Sequence, residues 1–170
     1  MVRLSPHMYP SPEKNLNYET EDAVYFFTGP FFPLDNFSAH SVEIWGNTFP
    51  TAEHAFQWKK YETTETGLAE AIRVSGSPEL AKKISRGSEN KRQDWQEIRL
   101  GVMADIIRAK AAQHEDVREM LLRTGDKLLV ENSPVDSFWG CGEDGKGENY
   151  LGKILMAIRD ELFSSVLNAQ

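Results

Sequence analysis

Glu53, Gln57 and Lys60 are spaced at i, i+4 and i+7 in the segment 49–60. If that segment is a helix, all three share one face. Glu53 and Lys60 then stand about 10.5 Å apart along the axis, two turns. Helices ordinarily carry an apolar stripe at these offsets; a polar one is either a solvated face or a row of groups opening on a cavity. Phe56 and Trp58 crowd the neighbouring positions, so the stripe borders apolar material. Glu53 also sits in the first turn, where the helix dipole favours its charged form. A carboxylate and an amine facing one cavity can carry out proton transfer or covalent chemistry.

A second concentration of chemistry lies in residues 136–152, which hold five of the twelve glycines, one of the four tryptophans and the single cysteine. Glycine at this density costs backbone entropy and buries no side chain. A domain tolerates it where the chain turns sharply or lies against something, so the stretch reads as the wall of a binding site. Phe138 and Trp139 are either core or a platform for a flat heterocycle. Asp136 is either a loop cap or a catalyst, and Cys141 has no activating partner in sequence. The literal GxGxxG from Gly140 to Gly145 is not a dinucleotide site, because no strand-loop-helix context surrounds it and Glu143 and Asp144 would face the pyrophosphate. Elsewhere, Lys82, Lys83 and Arg86 form a basic cluster that is either a solvated helix face or a phosphate clamp. Asp94-Trp95 reads as an acidic helix start followed by a core tryptophan or a site residue.

The elements that must hold these groups follow from period and punctuation. Residues 1–22 are polar and aperiodic and read as an extension, with the domain over 23–167. Strands are expected at 24–27, at 41–45 with a turn at Gly46-Asn47, and at 127–130. Pro50-Thr51 should cap a helix reaching about Tyr61. Further helices are expected at 67–74, at 78–87 behind Ser77-Pro78, at 94–113, at 116–123, and after the glycine-rich stretch on Leu151, Ile154, Leu155, Ile158 and Leu162. The fold class is a helix-rich α+β single domain with a few short strands.

Composition narrows the function. A chain of 170 residues, 40% hydrophobic and 26% charged, is large enough for one globular core. No apolar run approaches the roughly 20 residues of a membrane span, and one cysteine forms no internal disulfide, so the cytoplasm is the expected compartment. The net charge of −7 argues against non-specific polyanion binding but leaves room for a small phosphorylated ligand held by local cations. His7, His40, His54 and His114 show no paired ligand spacing, so no metal site is expected.

Taken in order, several segments resemble the NADAR family, also called YbiA-like. They are Pro33-Leu34-Asp35-Asn36-Phe37; Phe49-Pro50-Thr51-Ala52-Glu53-His54-Ala55-Phe56-Gln57 with Lys60; and Lys91-Arg92-Gln93-Asp94-Trp95. Leu121-Leu122-Arg123-Thr124-Gly125, Asp136-Ser137-Phe138-Trp139-Gly140 and Gly145-Lys146-Gly147-Glu148-Asn149-Tyr150-Leu151-Gly152 complete the set, which spans roughly residues 25–165. The resemblance implies an N-glycosidase that needs no cofactor or metal. It would act on a ribosylaminopyrimidine phosphate of riboflavin synthesis or on ADP-ribosyl-guanine, including guanine in nucleic acid. It implies Glu53, Lys60 and Asp136 as catalytic residues, and Asn36, Phe37, Gln57, Trp95, Trp139, Gly140 and Asn149 as substrate-binding ones; Arg86, from the basic cluster, joins them as a phosphate holder. Two roles stand open for Lys60: a cation for phosphate or leaving group, or an amine forming a Schiff base with C1 of a ring-opened ribosylamine. The alternative is a non-catalytic ADP-ribose or NAD-binding module. Asp35 stands where many members have serine and Cys141 follows Trp-Gly where others have a polar residue, so the ligand pocket is where this chain departs.

Overall fold

A computed structural model describes residues 15–27 and 32–168, with side chains to 165. Its first elements are Tyr18–Glu19 (β1) and the wholly buried Ala23–Phe26 (β2), which pair antiparallel. A 3-10 turn at Phe32–Leu34 leads to the hairpin of Val42–Ile44 (β3) and Asn47–Phe49 (β4). Five helices follow: Ala52–Lys59 (α1), Thr66–Arg73 (α2), Pro78–Ser85 (α3), Trp95–Gln113 (α4) and Glu115–Arg123 (α5). Leu128–Glu131 (β5) returns to lie parallel to β2, and Tyr150–Asn168 (α6) closes the domain. The main sheet has the order β1-β2-β5, a mixed sheet whose parallel pair is joined by the helical crossover.

Alternation along the strands divides the interior. Val24, Phe26 and Leu129 face the main core, which α4 fills with Val102, Met103, Ile106 and Ile107 and α6 with Leu151, Leu155 and Ile158. Ala23, Tyr25 and Val130 face the other way, over Cys141. A third cluster of Tyr61, Ala69, Ile72 and Ala81 binds α2 and α3 to the end of α1, and the Tyr61 hydroxyl ties it down at Ser85 O (2.6 Å) and Ser88 O (2.9 Å).

The caps expected from sequence are present. Thr51 Oγ1 accepts from His54 N at 3.3 Å, and Ser77 Oγ accepts from Leu80 N at 3.2 Å with Pro78 in the first turn. Two expectations change. The hairpin turns at Trp45-Gly46, one residue earlier than read, with φ of 52° and 72°. Positive φ at both central positions is the turn geometry that matches strand twist. The start of the domain also moves. Residues 15–22 are not a separate extension: Tyr18–Glu19 is a strand of the main sheet, Asn17 Oδ1 accepts from Phe27 N (3.0 Å), and Leu16 O accepts from Asn132 Nδ2 (3.0 Å). The rest of the expected extension, 1–14, lies outside the described residues.

Candidate active site

The polar stripe of α1 is not a solvated face. Glu53 is 5% exposed and Gln57 4%. Glu53 Oε1 accepts from Gln57 Nε2 at 2.7 Å, and Gln57 Oε1 accepts from Lys60 Nζ at 2.5 Å. The amide thus bridges carboxylate and amine along two turns of helix. Lys60 Nζ also lies over the rings of Phe56 (5.2 Å) and Trp95 (5.6 Å). This apolar seat desolvates the ammonium and lowers the Lys60 pKa to about 8, against a smaller opposing pull from Glu53. Burial pushes the Glu53 carboxyl up, while Lys82, the Gln57 hydrogen bond and Lys60 favour its charge.

Three other segments close a cleft of about 720 Å³ around this stripe. Asp35, Asn36 and Phe37 dock on the start of α1, where Glu53 N donates to Asn36 O at 3.1 Å. Lys110, buried in α4, supports that loop from behind by donating to Asp35 O (2.8 Å) and Ser38 Oγ (2.6 Å). Asp35 Oδ1 accepts from Phe37 N at 3.0 Å, yet desolvation still raises its pKa to about 6. The second wall is α3, contributing Glu79, Lys82, Lys83 and Arg86. Lys82 lies 5.7 Å from the Phe37 ring, and none of the three cations forms an ion pair with a described residue.

The third wall follows β5: Glu131, Ser133, Val135, Asp136 and Trp139. Asp136 Oδ1 accepts from the amides of Phe138 (3.0 Å) and Trp139 (2.8 Å), so it is a loop cap and also lines the cleft. Trp139 meets Phe56 edge to face at 5.3 Å, joining this wall to α1.

Of the residues expected at the site, Asn36, Phe37, Glu53, Gln57, Lys60, Arg86, Asp136 and Trp139 line one cleft. Trp95, Gly140 and Asn149 do not. Trp95 is core, 5.0 Å from Phe56 and beneath Lys60. A Cβ on Gly140 would lie 2.6 Å from Glu131 O, so this glycine serves chain against chain. Asn149, at φ 51°, accepts from Glu131 N (2.9 Å) and donates to Leu129 O (2.8 Å), clasping β5. The glycine-rich loop likewise directs its amides inward: Cys141 N to Glu131 O, Gly147 N to Cys141 O and Asn149 N to Gly140 O. Phe138 faces away from the cleft, against Arg99 at 3.7 Å. Asp94 instead binds Arg92, which also holds Glu62.

Sequence reasoning missed Glu131. Its signal was an acid closing the apolar run Leu128–Val130, and burial raises its pKa to about 8. Its Oε2 and the Oδ1 of Asn36 are sealed from solvent with no hydrogen-bond partner among the described residues. Both belong to cleft-lining residues.

Comparison with known proteins agrees in sequence and in shape. The NADAR domain model matches residues 18–163. The N-glycosidase Npun_R5314 of Nostoc punctiforme is 39% identical over 143 residues, covering 82% of this chain and 92% of that protein. The riboflavin biosynthesis protein PYRR, chloroplastic, of Zea mays is 34% identical over 164 residues, 88% of this chain and 26% of that one. The NMR structure of the E. coli protein YbiA superposes with a TM-score of 0.78 at 33% identity, over 92% of this chain and 94% of that one.

Proposed function

This chain belongs to the NADAR domain family, and we propose that it is an N-glycosidase, a hydrolase that cleaves the C–N bond between ribose and a nitrogenous base or amine in a phosphorylated or ADP-ribosyl compound. The observation that carries this is the buried Glu53–Gln57–Lys60 relay facing a wall of three cations that form no ion pair with a described residue. Cleaving a ribosyl C–N bond builds positive charge at C1 and negative charge on the departing nitrogen. A carboxylate beside C1 answers the first. Lys82, Lys83 and Arg86 answer the phosphate of the substrate, because cations in no ion pair with a described residue can hold an anion. Trp139 supplies a flat apolar wall for the heterocycle.

Lys60 acts as an amine. A lysine whose pKa burial has lowered to about 8 holds a usable fraction of free base near neutrality. Its nitrogen adds to C1 of the ring-opened riboside, the base departs with a proton, and water then releases the sugar aldehyde and restores the amine. The name of the maize relative favours a riboflavin-pathway ribosylaminopyrimidine phosphate; ADP-ribosyl-guanine is the other substrate class this cleft suits.

Release of free base from a ribosylaminopyrimidine phosphate and from an ADP-ribosylated guanine oligonucleotide tests the reading, with wild type, Glu53→Ala and Lys60→Ala side by side. Turnover of one substrate, lost in both variants, supports it and names the substrate. No turnover of either, with ADP-ribose still bound, leaves a binding module in its place.

A further inference from the structure

The departing nitrogen needs a proton as its bond to C1 breaks. Glu53 is the group assigned above to the charge at C1, and its Oε1 accepts from the Gln57 amide. Lys60 enters as the free amine, so it brings no proton beyond its own N–H hydrogens.

Glu131 is placed for that task. It ends β5, and its backbone is held on both sides: its N–H donates to Asn149 Oδ1 at 2.9 Å, and its carbonyl accepts from Cys141 N at 2.9 Å. Gly140 packs so closely on that carbonyl that only glycine fits. Gly140, Cys141 and Asn149, conspicuous in sequence, therefore converge on the backbone of one residue. Glu131 lines the cleft, and its Oε2 is out of reach of solvent with no partner among the described residues. A buried polar atom left unbonded costs stability unless a ligand completes it.

Resting on the glycosidase reading above, we propose that Glu131 is the catalytic proton donor of this cleft, working as a neutral carboxylic acid. Its O–H proton passes to the departing nitrogen as the C1–N bond breaks, and the bonding electrons leave with that nitrogen. The water whose oxygen ends on C1 then returns a proton to the Glu131 carboxylate. In sum, the C–N bond and one water become C–O and N–H.

The surroundings keep this carboxyl protonated. Asp35, Glu53 and Asp136 all repel a negative charge there, Lys82 opposes them more weakly, and burial is the largest cause. Lys60 and Arg86 line the same cleft, and the thiol of Cys141 lies behind the strand. Lys60 must lose a proton and Glu131 must keep one. Their ordinary positions lie about six pKa units apart in the wrong order for that. The cleft brings both to about 8. Activity should therefore be bell-shaped in pH with its summit near 8, the two limbs being properties of the coupled pair.

Two measurements test the proposal. The Glu131 carboxyl carbon is titrated by 13C NMR in wild-type protein. A protonated carboxyl at pH 7 is expected, and an ionised one overturns the proposal whatever the kinetics show. Base release is then followed from pH 6 to 10 for wild type and Glu131→Gln, which keeps shape and donates hydrogen bonds but carries no transferable proton. The expected loss in kcat is about 10²–10⁴-fold, smaller for a base that leaves more easily, with the alkaline limb gone. An alkaline limb that persists in Glu131→Gln assigns it elsewhere and overturns the donor role. Wild-type protein that holds the proton but cleaves neither substrate removes the glycosidase reading, and the donor role with it.

Discussion

Lys60 is the sharpest point of test, because its two roles predict opposite chemistry. With a pKa of about 8, roughly 9% of it is free amine at pH 7 and roughly 90% at pH 9. An unperturbed lysine at 10.5 is roughly 0.03% free amine at pH 7, so the seat over Phe56 and Trp95 enriches the nucleophile about 300-fold. The perturbation is ribose 5-phosphate with cyanoborohydride, which reduces any imine to a stable adduct. The assay is peptide mass spectrometry, with the exposed Lys146 as internal reference. Lys60 should be labelled at least about 100-fold faster than Lys146 at pH 7, and the advantage should shrink toward pH 10, where the free-amine fraction of Lys60 no longer grows. Glu53→Gln should slow base release without slowing the labelling. Labelling of Lys60 no faster than Lys146 would refute the amine reading and leave a cation that holds phosphate.

Three further outcomes follow from the same geometry. Arg86→Ala should raise KM for a phosphorylated substrate about 10–150-fold, the value of one charge-assisted hydrogen bond, with a weaker salt dependence of KM and a smaller change in kcat. Gly152→Ala should lower the melting temperature sharply, since the new Cβ would stand 2.1 Å from Leu129 O, whereas Gly67→Ala in α2 meets nothing within 4 Å and should stabilise by about 1 kcal/mol. The stability of Glu131→Gln should gain on wild type as pH rises from about 4.5 to about 8 and level off beyond. In that window the unfolded chain has released the Glu131 proton and the folded chain still holds it, so wild-type stability falls with pH; matched thermal melts at pH 5 and pH 8.5 read the gap.

The fold was largely legible because its elements are local. Thr51, Ser77-Pro78 and the apolar period of α4 and α6 announce themselves within a few residues. Two long-range facts were not. Nothing in Tyr18–Glu19 says that it edges a sheet; pairing with β2 decides it. Nothing in the period of 128–131 says that Glu131 turns into a cleft, since an acid at the end of a strand reads as the start of a loop. On α1 the period succeeded because the polar stripe and the cleft share one helix face. Trp95 and Asn149 lie outside the cleft lining, in the packing behind it.

The position of Asn149 shows what the glycine-rich stretch does. A loop so rich in glycine looks made for touching a ligand, but four of its glycines lie against protein. Gly140 meets Glu131 O, Gly142 meets the Ser137 side chain, Gly147 meets the carbonyl of Gly140, and Gly152 meets Leu129 O. Side chains at Gly140 or Gly152 would push the loop off β5, and side chains at Gly142 or Gly147 would push it off itself. Dense backbone packing fixes the main chain of Glu131 at the cleft wall, where burial raises its pKa, as the seat over the rings of Phe56 and Trp95 lowers that of Lys60. The acid loses charge and the base loses charge for the same reason, and both costs are carried by the fold before any substrate arrives. Reactivity in this cleft therefore depends on residues that never face it.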